Sequence, residues 1–147
     1  MAEPPASEST FDYRDRFERL GRALGERERE HASGLEAACA FAEKLRAVVA
    51  SALDDFHRAA GSPQLAIDLS DVRPNEKHVR AVEFELSRGR HRALVTAKSK
   101  GEVTLVGPFQ TGKDEGHCNR LPFDADSELR DALGDFLEQF LTAAATP

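Results

Sequence analysis

From Tyr13 the apolar positions run Tyr13, Phe17, Leu20 and Leu24, in steps of four, three and four, and almost everything between them is Arg, Glu or Asp. That spacing draws one narrow stripe along a helix. A stripe so narrow is the seam of a helix that pairs with one other helix, as in a coiled coil. From Leu35 the stripe broadens to take in Leu35, Ala38, Cys39, Ala42, Leu45, Val48, Val49, Ala52, Leu53 and Phe56. This predicts a central helix covered on more than one side, with Cys39 among its apolar residues. Gly61 ends it and Pro63 bars its continuation. Two capping patterns, Ser9 with Asp12 and Ser33 with Glu36, mark two helix starts. Two helical segments with a weak joint at 32–34 are therefore expected across residues 11–60. The phase of the stripe survives the joint, passing through Arg27, His31 and Gly34 to Ala38. The alternative is one helix roughly 70 Å long. A glycine penalty of about 1 kcal/mol at Gly34 does not decide between the two.

Past Pro63 the apolar period changes to two. The stretches "QLAIDLS", "VRAVEFELS", "HRALVTA" and "EVTLV" predict an antiparallel meander of about four strands over 64–106, with turns at Pro74-Asn75, "SRGR" and "KSKG". A two-residue loop at Arg88-Gly89 would set Phe84 opposite Ala93, Val82 opposite Val95, Leu86 opposite His91 and Glu85 opposite Arg92. A three-residue loop at Ser99 to Gly101, with Gly101 left-handed, would set Val95 opposite Leu105 and Ala97 opposite Val103. One sheet face is then apolar. The other, carrying Glu83, Glu85, Arg92, Thr96 and Thr104, is expected to be mostly wet. Residues 107–123 read as an irregular loop with room for a short edge strand near "HCNRLPF". Asp124 or Asp126 would cap a last helix, 126–142, whose stripe is Leu129, Leu133, Phe136, Leu137, Phe140 and Leu141. The fold class is α+β, with two N-terminal helical segments, the meander, and a C-terminal amphipathic helix packed on the sheet. A single domain spans 11–142. Residues 1–10 read as a disordered tail and 143–147 as a frayed one.

Bulk composition narrows the function classes. The chain has 147 residues and only two cysteines, Cys39 and Cys118, too few for a disulfide framework. Its start is acidic and Pro-rich, unlike a secretory leader, and no apolar run is long enough to span a membrane. A cytoplasmic protein is expected, and Ala-rich, Arg-over-Lys usage points to a GC-rich bacterial genome. The net charge of −6 is unevenly spread, with −3 over residues 1–62, +3 over 63–113 and −6 over 114–147. An acidic chain is repelled by a phosphate backbone unless its basic middle stands apart.

Candidate chemistry is sparse. "GPFQTGKD" follows an apolar run and imitates a phosphate-binding loop. However, Asp114 stands where the Mg²⁺-binding hydroxyl belongs, and the following "DEGHCNRLP" cannot open a helix. His117-Cys118 is one ligand pair where zinc needs two, and His31, His57, His78, His91 and Cys39 are scattered. A Cys118 nucleophile needs a base and an oxyanion donor. Glu83 and Glu85 share a strand face but are expected to pair with Arg92. The basic residues Arg88, Arg90, Arg92, Lys98 and Lys100 sit at two turns on opposite ends of the sheet, without aromatics for stacking bases.

No catalytic, cofactor or metal site is expected. The reading is a small non-catalytic protein-interaction module, whether adaptor, regulator or chaperone-like. It would self-associate as a homodimer through Tyr13, Phe17, Leu20 and Leu24. Anion or nucleic-acid binding at Arg88, Arg90, Arg92, Lys98 and Lys100 is the alternative. An enzyme working in the 107–123 loop is the third reading.

Overall fold

The structure, a computed structural model, describes residues 11–112 and 116–146. The tail expected at 1–10, Ser9 of the first capping pattern, and Lys113 and Asp114 lie outside the described residues.

Residues 11–60 do not divide into two segments. A single helix, α1, runs from Arg14 to Ala60, 47 residues without a break. Asp12 serves its start, its Oδ1 accepting the Arg14 N–H at 3.1 Å. Ser33 caps nothing, because it lies in mid-helix. Gly34 is no hinge either. A Cβ built there would come within 2.3 Å of the Ser99 carbonyl oxygen, so the glycine is where a sheet turn lies directly against the helix. The helix ends as the sequence requires, on left-handed Gly61, whose N–H reaches the His57 carbonyl at 3.1 Å.

The sheet is antiparallel and contains β1 (Asp68–Leu69), β2 (Arg73–Pro74), β3 (Ala81–Arg88), β4 (His91–Lys98), β5 (Glu102–Gln110) and β6 (Cys118–Pro122). Short β1 and β2 share the outer edge of β3, and β4, β5 and β6 follow in order. The long first strand expected from "QLAIDLS" shrinks to two residues, preceded by a 3-10 turn at Pro63–Leu65. The reason is local: the Ile67 N–H donates to His57 Nε2 at 2.9 Å instead of to a neighbouring strand, and the Ile67 side chain turns into the core. β5 continues through Gln110, further than expected, and the edge strand near "HCNRLPF" forms as β6.

Both hairpins keep the predicted faces, but only one keeps its register. Val95 pairs with Leu105 and Ala97 with Val103, and Gly101 is left-handed at φ 92°, as expected. In the first hairpin Arg88 pairs with His91, so the loop is Gly89-Arg90 and Phe84 faces Val95. Gly89 has φ 58° and leads the loop, the place a type II′ turn gives glycine. Glu85 therefore reaches Arg92 diagonally, at 3.8 Å, rather than directly across.

Both helices pack on the apolar face. α1 lies over β3 and β4, and α2 (Asp126–Ala144) lies over β5 and β4. Ala125, which offers no capping side chain, stands at the N-cap of α2, not Asp124 or Asp126. Leu45, Val49 and Leu53 meet Phe84, Leu86, Val95, Leu105, Leu133 and Phe140 in one core. Phe41 of α1 stacks on Phe123, ahead of α2, with ring centroids 4.3 Å apart. The opposite face is drier than expected, because Glu83, Thr96 and Thr104 are buried. They lie in one cross-strand row, between Arg73 and Arg120. Glu83 accepts hydrogen bonds from Arg73 and Asn75. Among the described residues no helix is long and apolar enough to cross a membrane.

Candidate functional site

The apolar stripe of α1 outlasts the sheet. Its sheet-covered part, Ala38, Ala42, Leu45, Val49 and Leu53, is buried. Traced back at 100° per residue, the same face carries His31, Arg27, Leu24, Leu20, Phe17 and Tyr13. Among the described residues nothing covers it there. Tyr13, Phe17, Leu20 and Leu24 are 48, 54, 47 and 49% exposed, and Phe11 beside them is 66% exposed. The Tyr13 and Phe17 rings meet edge to face, with centroids 5.7 Å apart, and the Arg16 guanidinium lies 5.9 Å from the Phe17 ring. The last tie to the body is an ion pair, Glu28 to Arg80 at 3.0 Å, before Gly34 meets Ser99. Residues 14–33 thus form an overhang roughly 30 Å long. An isolated helix of that length is marginal in water, and a contiguous apolar patch on a folded surface marks an interaction site.

Further along, α1 is covered on one side only. Val48 is 50% exposed and Cys39 is exposed, against the expectation of cover on several sides. The apolar stripe of α1 is broader than the surface that the sheet offers it.

A second feature lies beside β6. An open groove of about 660 Å³ separates the sheet edge from α2, and its lining includes His117, Cys118, Glu128, Asp131 and Asp135. His117 and Cys118 therefore border one groove with the α2 carboxylates, the neighbourhood that an enzyme working in the 107–123 loop would need. Glu128, Asp131 and Asp135 recur at steps of three and four on α2, a signal that reads equally well as a solvated face. The groups do not converge into a working set. Side chains of a strand alternate between faces. Leu121 of β6 is buried in the core beneath α2, so Asn119 shares its side, and Cys118 and Arg120 point to the other. Among the described residues neither His117 nor Cys118 has a side-chain hydrogen bond within the chain, and no group of three His, Cys, Asp or Glu is placed to hold a metal ion.

The basic turns lie at opposite ends of the sheet and are largely engaged by the chain itself. Arg88 donates to the Gln64 carbonyl at 2.8 Å and to the Ala144 carbonyl at the end of α2. Arg92 pairs with Glu85 at 3.8 Å. Lys98 and Lys100 both approach Glu102, at 3.5 and 3.8 Å. Arg90 is exposed. The chain matches no protein-family model, no curated protein and no solved structure.

Proposed function

We propose that this protein is a non-catalytic interaction module of the cytoplasm that binds a partner protein through the overhanging half of α1. One observation carries the reading. The face that buries Ala38 to Leu53 against the sheet continues as Tyr13, Phe17, Leu20 and Leu24, all about half exposed and covered by none of the described residues. A seam one heptad stripe wide fits a single partner helix better than a deep pocket or a flat surface. The test is amide exchange of residues 14–30 combined with affinity capture from the native extract, comparing the intact chain with Phe17→Glu/Leu24→Glu. Binding by the seam predicts a partner, either another protein or the chain itself, that protects these amides and is lost in the variant. Fast exchange under every condition, with no seam-dependent partner, sinks the reading.

The groove beside β6 favours a second reading, a ligand-binding or catalytic site. It is the weaker one, because strand alternation turns the Cys118 thiol away from the α2 carboxylates. Alkylation kinetics separate the two. A Cys118 thiolate activated in the groove would outpace exposed Cys39 by more than about tenfold at neutral pH, whereas an idle thiol would match it. Anion binding at the turns is favoured by no observation, since Arg88, Arg92, Lys98 and Lys100 each have an acceptor in the chain.

A further inference from the structure

We infer that the partner of the overhang is a second copy of this chain, lying antiparallel to the first with the two-fold axis level with Arg22. This rests on the reading of the overhang as a binding surface and names its occupant. The core positions of the seam are Tyr13, Phe17, Leu20, Leu24, Arg27 and His31. The positions flanking them are Arg14, Gly21 and Glu28 on one side and Arg16, Ala23 and Glu30 on the other. Both flanks read basic, small, acidic, in that order along the helix.

That order is self-complementary only when a copy is turned end for end. Leu20 then faces Leu24 of the second copy, Phe17 faces its Arg27, and Tyr13 faces its His31. In the same register Arg14 lies beside Glu28 of the second copy and Arg16 beside its Glu30, giving four interchain ion pairs by symmetry. Gly21 and Ala23 meet their own counterparts at the axis, where small residues let two helices approach closely. Arg27, a poor core residue facing itself, is set over an aromatic ring instead.

A parallel pair lacks these matches. It sets Arg27 against Arg27, and its flanking contacts join Arg16 to Gly21 and Ala23 to Glu28, with no ion pair. The antiparallel register also brings Phe11 of the second copy level with Ser33 and Gly34, where the sheet begins. Val79, 85% exposed, precedes the Arg80 that holds Glu28 in that region. In the dimer Glu28 shares its carboxylate between Arg80 and Arg14 of the second copy.

Charge reversal tests orientation and occupant together. The two half-swaps are Arg14→Glu/Arg16→Glu and Glu28→Arg/Glu30→Arg, the second made together with Arg80→Glu so that residue 28 keeps its tie to the body, and all these changes together make the full swap. Sedimentation equilibrium at about 50 µM should find the unaltered chain dimeric, each half-swap alone at least about 30-fold weaker, and both the full swap and an equimolar mixture of half-swaps restored. Circular dichroism at low concentration checks that each variant keeps its folded body. As a second measurement, Ala23→Cys in a Cys39→Ser/Cys118→Ser background should cross-link to itself with a short bifunctional maleimide, and Arg16→Cys should not. An unaltered chain that stays monomeric overturns the second copy as occupant. It leaves the overhang reading standing if a different, seam-dependent partner is captured. A dimer that half-swaps weaken but mixing does not restore, or one indifferent to the swaps, overturns the antiparallel register.

Discussion

Replacing Gly34 by alanine should destabilise the protein, although helix propensity alone predicts the reverse. In the interior of an exposed helix this change stabilises by about 1 kcal/mol. At Gly34, however, the new methyl would lie 2.3 Å from the Ser99 carbonyl oxygen and 3.1 Å from its carbon, and real contacts do not fall below 3.0 Å. The obstacle is backbone, not a side chain that can swing away. The turn is also anchored from the far side, since Ser99 N–H donates to the Arg80 carbonyl at 2.8 Å. Overpacking of this kind costs about 1–3 kcal/mol, and weakening the anchoring hydrogen bond adds about 0.5–1.5 kcal/mol. The net expectation is a loss of about 1–3 kcal/mol, or several degrees in Tm for a chain of this size. Gly134 of α2 supplies the control, because a Cβ there meets nothing within 4 Å. Gly134→Ala should raise Tm by a degree or more, about 0.5–1 kcal/mol. Thermal denaturation followed by circular dichroism reads both variants. If Gly34→Ala stabilises as much as Gly134→Ala, the turn does not rest on the helix and the argument for an unbroken, anchored α1 is refuted.

Arg88→Ala should cost about 1.5–3 kcal/mol, because it leaves the Gln64 and Ala144 carbonyls without their charged donor, and should speed amide exchange in the last turn of α2. Arg90→Ala should change neither. His57→Ala should cost about 1–3 kcal/mol in denaturant melts by leaving the part-buried Ile67 N–H without an acceptor. His57→Gln should recover part of the loss if its carbonyl reaches the same amide. Phe41→Ala should remove about 2–4 kcal/mol with the stack on Phe123, and a cost below 1 kcal/mol would show that the stack does not hold α1 to the start of α2.

The α+β class and the second hairpin were readable from periodicity and turn chemistry, because apolar alternation and Gly101 both act within a few residues, whereas α2 runs past the expected 142 to Ala144, which is buried rather than frayed. The first hairpin slipped because "SRGR" admits glycine in either loop position. Nothing local tells a turn led by Gly89 from one that ends on it. The joint expected at 32–34 failed for a different reason. Ser33, Gly34 and Glu36 do resemble a helix start, but the glycine answers to Ser99, a contact 65 residues away in sequence that no local pattern records. The seam of Tyr13, Phe17, Leu20 and Leu24 was visible in the sequence. That it overhangs the sheet depends on where β3 and β4 end beneath α1. The groove beside β6 was not visible, since Glu128, Asp131 and Asp135 occupy polar positions that any exposed helix would carry.

Because α1 is one rigid element from Arg14 to Ala60, the facing of its tip is geared to the body by residue count alone. A single residue inserted between Gly25 and Glu30 would swing Tyr13, Phe17, Leu20 and Leu24 about 100° round the axis and turn the tip's contact side away from the direction the sheet sets. Seven inserted residues would bring it back to within about 20° and lengthen the reach by about 10 Å. Spacer length in this stretch is therefore a dial for orientation, one that resets near every second helical turn.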